Sequence, residues 1–129
     1  MALVTFLVED NSTIRDNLIP ALEDLADATV IGFAETEAKA TQWLADNGAN
    51  WHLAVVDMFL KEGSGLGVLR DCMNRQRHQR VVVLTNYATA DMRERCMTLG
   101  ADAVFDKSNE IDAFLEYCNE RWPSQFASL

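Results

Sequence analysis

The sequence predicts an α/β fold, a doubly wound sheet of about five parallel strands with helices on both faces. Three observations carry that reading. Short apolar, β-branched runs recur along the chain, as in strands buried on both faces of a parallel sheet. Stretches with apolar residues at helical spacing separate them, so strand and helix alternate throughout. Four of the runs also deliver polar residues to their ends: Glu9 and Asp10 after residues 3–8, Asp57 after 53–56, Thr85 after 81–84, and Lys107 after 103–106. In an open parallel sheet, ligand chemistry collects at the carboxyl ends of the strands. Three carboxylates, a hydroxyl and an ammonium are therefore expected in one crevice, which suits a divalent cation and a phosphoryl group.

After the first run, Asn11 or Ser12 can cap a helix reaching about Ala26. Ile14, Leu18, Ala21, Leu22 and Leu25 give it an apolar face. Pro20 falls inside this helix, where its missing N–H and ring crowding predict a bend. Residues 28–33 read as the second strand. Thr36 caps the next helix, through Ala38, Ala40, Trp43 and Leu44, and Gly48 is its stop. Residues 51–57 make the third strand. A turn-rich loop at 61–65 leads into a helix with Leu66, Val68, Leu69 and Met73. The fourth strand is 80–85, a helix near 89–99 ends at Gly100, and 103–106 is a short fifth strand. The last helix, about 109–122, turns Ile111, Phe114, Leu115 and Cys118 inward, and Pro123 stops it.

With 129 residues the chain is the size of one domain, and residues 1–129 are read as one. A hydrophobic content of 49% suits a packed core rather than a disordered tail. Its net charge of −9 argues against direct nucleic-acid or anionic-membrane binding, which need clustered Lys and Arg. No apolar stretch is long enough to span a bilayer, and Met1-Ala2-Leu3 begins no signal peptide. Cys72, Cys96 and Cys118 are odd in number and widely spaced, as expected of reduced, partly buried thiols in a cytoplasmic protein. His52 and His78 stand at no ligand-like spacing from them. Trp43, Trp51 and Trp122 read as packing residues.

Taken singly, the strand-end residues are ordinary. Adjacent acids are often solvated, an Asp after an apolar run caps a turn, and a strand-end Thr bonds to backbone. Their joint order and spacing is what matters. The acidic pair Glu9-Asp10, then Asp57 with Gly65 eight positions later, then Thr85, then Lys107 after Gly100-Ala101-Asp102, resembles the receiver (response-regulator) domain of bacterial two-component signalling over nearly the whole chain. The resemblance implies a flavodoxin-like fold and a phosphorelay function. Asp57 would be the phosphoacceptor, served by a phosphohistidine on a sensor histidine kinase or phosphotransfer protein, or by a small acyl phosphate. A carboxylate nucleophile needs no base to activate it, but it repels the incoming phosphoryl group.

Mg²⁺ would remove that repulsion, bound by Glu9, Asp10, Asp57 and, by the family pattern, the backbone carbonyl of Phe59. Lys107 would pair with a phosphoryl oxygen and Thr85 would hydrogen-bond another, drawing its loop inward. The family reads that change on the face of the fourth helix, fifth strand and fifth helix. A downstream protein or output domain would dock there, and receivers often form homodimers through it. The domain would catalyse its own phosphorylation and dephosphorylation, with no turnover of a metabolite.

Several positions depart from the family pattern. Lys61 replaces a loop proline, which predicts a looser loop after Asp57. Ser108 replaces a proline often preceded by a cis bond, and a cis Lys107–Ser108 bond would cost about 3 kcal/mol. Asn86 replaces a small residue. Val104 stands where an aromatic ring usually moves with the threonine. Phe105 points to the opposite face and should not substitute, which leaves Tyr87 as a candidate. Phe59 and Tyr87 flank the expected path of a hydrolytic water, which predicts slow loss of the phosphoryl group.

An interaction domain that keeps the fold without the switch is the alternative favoured by Val104 and Ser108. A phosphatase of the haloacid-dehalogenase type wants a second Asp where Phe59 stands. A flavin site is disfavoured by the acids in the loop at 9–13.

Overall fold

All five apolar runs join one parallel sheet. In the computed structural model, which describes residues 3–121, strands β1 (Leu3–Val8), β2 (Ala28–Ala34), β3 (Leu53–Val56), β4 (Arg80–Thr85) and β5 (Ala103–Asp106) lie in the order β2-β1-β3-β4-β5. Helices α1 (Ser12–Leu25), α2 (Glu37–Asn47), α3 (Gly65–Asp71), α4 (Ala90–Thr98) and α5 (Ile111–Arg121) connect or follow them. This is the flavodoxin-like doubly wound order, whose winding reverses between β1 and β3 and opens a crevice at their carboxyl ends.

Strand alternation divides the core in two. Phe6, Val8, Val56, Val83 and Val104 meet α2, α3 and α4 through Ala40, Val68, Leu69 and Cys96. Leu3, Leu7, Val55, Val82 and Leu84 meet α1 and α5 through Leu18, Leu22, Phe114 and Cys118. Trp43 lies flat on Phe6 with ring centroids 3.9 Å apart. A side chain at Gly32 would run into its indole, with an added Cβ 2.6 Å from Nε1. Asn11, Thr36, Ser64 and Thr89 cap α1 to α4, each accepting from a backbone N–H in the first turn.

Some expected boundaries and faces change. β3 pairs only over Leu53–Val56, and single bonds extend the ladder at its ends, such as His52 N–H to the Val4 carbonyl at 2.8 Å and Asp57 N–H to the Val8 carbonyl at 3.0 Å. Leu25 is 60% exposed, since α1 ends there and Ala26 turns inward instead. Met73 is likewise exposed: α3 stops at Asp71 and Cys72 takes the buried position. α5 begins at Ile111 rather than 109, because the Asp106 carboxylate accepts from Ser108 N–H and Asn109 N–H and holds those residues in a turn. Its expected end at Trp122 and stop at Pro123 lie outside the described residues.

The thiols are fully rather than partly buried, and burial pushes Cys72 and Cys118 up to about 12, so both stay neutral. No cis peptide bond occurs among the described residues, so Lys107–Ser108 is trans. No described helix is long and apolar enough to cross a membrane.

Candidate functional site

Each strand end delivers its residue as the sequence implies. Glu9 and Asp10 leave β1, Asp57 leaves β3, Thr85 ends β4, and Lys107 follows β5. The sheet register sets their depth. Val8 is level with Val56 and Thr85 with Asp106, so the side chains leave the sheet within one layer.

Lys107 is the hub. Its Nζ lies 2.5 Å from Glu9 Oε1 and 2.9 Å from Asp57 Oδ2, with all three side chains at least nine-tenths buried. Burial by itself would lower the Lys107 pKa, but its bonds to Asp57 and Glu9 outweigh that and raise it, so the ammonium stays charged. Glu9 shifts upward as well. Desolvation outweighs its bond to Lys107, and the nearby Asp57 adds to the rise. A buried, anion-rich site of this kind gains from further positive charge.

Carboxylate oxygens of Glu9, Asp10 and Asp57 lie within 4.8 Å of one another. An all-oxygen donor set at that separation fits a hard cation such as Mg²⁺, which keeps several waters beside one or two directly bound carboxylates. Phe59 sits beside the cluster, its N–H directed at Asp57 Oδ1 at 3.4 Å. Thr85 is fully buried and its Oγ1 accepts the Tyr87 N–H at 3.2 Å. Asn86 is exposed and accepts from the Ser108 hydroxyl at 3.3 Å. Gly65 has a direct structural reason. A Cβ there would lie 2.2 Å from the Asp57 carbonyl oxygen, so only glycine lets α3 start against the strand end.

Sequence reasoning missed three supporting residues. Arg15 is buried on α1 and donates from Nη1 to the Glu9 carbonyl at 2.8 Å, while its guanidinium lies 4.3 Å over the Phe33 ring. Its signal was its place three and seven residues before Leu18 and Leu22, on the face that helical spacing turns inward; its charge is what hid it. Glu37, in the first turn of α2, accepts the Ser64 N–H at 2.9 Å, and its own N–H bonds the Glu62 carbonyl. Gly63 (φ +83°) and Gly67 leave the room this carboxylate needs. Bridges pair Thr36 with Glu62 and Phe59 with Ser64. The loop after Asp57 is therefore tethered to α2 at Ser64 and Glu62, on either side of Gly63 and close after Lys61. Arg93 is the third, bonded across α4, β5 and the start of α5.

Val104 is buried on the α3–α4 side of the sheet, whereas Phe105 packs on the opposite side against Phe114 and Tyr117. Phe105 therefore cannot act beside Thr85. Tyr87 is 60% exposed and meets Phe59 rather than filling that inner space.

Known proteins share this fold. The family model described as the response regulator receiver domain matches residues 5–119. Over 96 residues the chain is 29% identical to the DNA-binding transcriptional activator DevR/DosR of Mycobacterium tuberculosis, covering 74% of this chain and 43% of that protein. The response regulator domain of Thermotoga maritima CheB superposes with a TM-score of 0.79 at 17% identity, covering 93% of this chain and 96% of that one. A response regulator from Burkholderia pseudomallei, described with a phosphorylated aspartic acid, a calcium ion and citrate, superposes at 0.77 with 21% identity over 98% of this chain and 71% of its own. The strand-end acids, the sheet order and the family match agree, and the chain belongs to the response regulator receiver domain family.

Proposed function

We propose that Asp57 is the phosphoacceptor of a two-component switch, supplied by a phosphohistidine on a sensor kinase or phosphotransfer protein, or by a small acyl phosphate. A carboxylate oxygen of Asp57 donates its electron pair to phosphorus as the bond to the donor breaks. The leaving ring nitrogen keeps that pair, and a proton on the other ring nitrogen makes the departing group neutral imidazole; from an acyl phosphate the pair leaves with a carboxylate. Glu9, Asp10, Asp57 and the Phe59 carbonyl would hold Mg²⁺, whose positive charge would offset repulsion between the carboxylate and the phosphoryl oxygens.

Lys107 pairs with a phosphoryl oxygen in place of Asp57 Oδ2, and the Thr85 hydroxyl donates to another. The carrying observation is the Lys107 ammonium spanning Glu9 and Asp57 at 2.5 and 2.9 Å beside Asp10. The phosphorylated aspartate and calcium ion of the Burkholderia relative support the same reading. Self-dephosphorylation reverses the bond at Asp57 with water as the acceptor. The readers are a downstream protein or output domain contacting α4, β5 and α5, a face that also offers a route to homodimers. The acidic balance of the chain fits action through protein contacts in the cytoplasm rather than through nucleic acid.

The test is incubation with acetyl phosphate and Mg²⁺ followed by intact-mass measurement. The wild type should gain one phosphoryl group, and Asp57→Asn or omission of Mg²⁺ should abolish the gain. A label persisting in Asp57→Asn moves the acceptor elsewhere. An unlabelled wild type favours an interaction domain without the switch.

A further inference from the structure

Val104 leaves β5 without an aromatic ring on the face it shares with Thr85, and Phe105 packs on the other side, so a link from the threonine to the far side of α4 has to run through another residue. We propose that Arg93 is that link, a positioning residue whose guanidinium joins the loop after Thr85 to β5 and to the start of α5. The inference rests on the phosphoacceptor reading above.

Three nitrogens of Arg93 reach three segments. Nε donates to the Ala88 carbonyl at 3.0 Å, Nη1 to the Val104 carbonyl at 2.9 Å, and Nη2 to Glu110 Oε1 at 2.6 Å. The same Glu110 oxygen accepts the Asp106 N–H at 2.9 Å, one residue before Lys107. An exposed Arg–Glu pair alone contributes little, and these two side chains are 38% and 37% exposed. What distinguishes this one is a planar fork with every partner on a different segment, two of them backbone carbonyls that cannot rotate away. A lysine could not hold all three at once.

The connection begins at Thr85. Its Oγ1 accepts the Tyr87 N–H, so residues 85–87, next to Ala88, form a bend closed by the very hydroxyl the switch recruits. Turning that hydroxyl toward a phosphoryl oxygen releases Tyr87 and lets the Ala88 carbonyl move. Arg93 sits one turn into α4, its N–H bonded to the Thr89 carbonyl at 2.9 Å, so it follows that loop. Motion of either anchor is then felt at Val104 and Glu110. This gives two sites a shared element whose arrangement each can bias, which coupling requires.

Hydrogen exchange read by mass spectrometry, with and without beryllofluoride and Mg²⁺, tests the link in wild type, Arg93→Gln, Arg93→Lys and Glu110→Gln. In wild type, exchange should change in peptides covering 85–89 and also 104–114. Arg93→Gln should keep the first change and lose most of the second, with acetyl-phosphate labelling of Asp57 at the wild-type level. Arg93→Lys should not restore it. Should Arg93→Gln melt before it can be measured, Glu110→Gln, which removes only the charge on one partner, should still reduce the change at 106–114 at least twofold. An undiminished change at 104–114 in either variant overturns the proposal. Absence of labelling in wild type would instead overturn the phosphoacceptor reading beneath it.

Discussion

Phe59 and Tyr87 meet edge to face, their ring centroids 4.7 Å apart and their planes at 64°, although both are more than half exposed. Each follows a site residue by two positions, Asp57 and Thr85, so the paired rings stand at the mouth of the crevice. Large apolar rings there hinder approach of a water in line with an aspartyl-phosphate. The phosphorylated wild type should therefore decay several-fold more slowly than a Phe59→Asn/Tyr87→Glu double variant, measured by loss of the phosphorylated mass with time. Equal or faster decay in wild type would exclude a shielding role.

Lys107→Ala leaves two buried carboxylates, Glu9 and Asp57, without their cation. Removing one partner of a buried ion pair costs about 3 kcal/mol, so the urea midpoint should fall accordingly in magnesium-free buffer. On the proposed Mg²⁺ site, added Mg²⁺ should then stabilise the variant more than it stabilises wild type, because an ion bound to the folded cluster would replace the missing charge. Equal increments in both proteins would show that the cation does not bind among these acids.

Glu37 fixes the loop that carries Phe59, through Ser64 N–H at 2.9 Å and the Phe59–Ser64 bridge. Losing that acceptor costs about 1 kcal/mol, which corresponds to roughly fivefold weaker Mg²⁺ binding if the loop supplies a ligand. Calorimetric titration should show this loss in Glu37→Ala and not in Glu37→Gln, whose amide oxygen still accepts. Unchanged affinity in Glu37→Ala would confine the residue to loop stability.

The Arg93 bond, joined by the Asp106 N–H, holds the Glu110 carboxyl below its ordinary value of 4.5. A carboxyl depressed in the folded state stabilises above its unfolded pKa, and that contribution fades as pH falls through the folded value. Wild type should thus be more stable than Glu110→Gln near neutral pH, and the gap should close below pH 4.5. High salt should narrow it as well. A gap that persists unchanged into acid would mean the charge is not what stabilises the folded state.

The strands, the winding and the five strand-end residues were readable because they depend on local pattern. Buried parallel strands need continuous apolar runs, and a doubly wound sheet sends their carboxyl ends to one edge. Val104 and Phe105 show how far this goes, since the two-residue period alone assigned them to opposite faces. Leu25 and Met73 show where it fails. Helical spacing marks a face but not the residue at which the helix stops, and both lie at or past that point.

By itself the sequence determined the parallel sheet, the convergence of Glu9, Asp10, Asp57, Thr85 and Lys107, and the missing aromatic ring at Val104. Only the tertiary structure decided that Lys107 spans both Glu9 and Asp57, that Glu37 holds the loop Lys61 was expected to free, and that Arg93 reaches Ala88, Val104 and Glu110 together. The physical reason is range. Periodicity and turn chemistry act over a few residues and are written in composition, whereas a charged side chain finds partners across several strands, where only packing sets the distance.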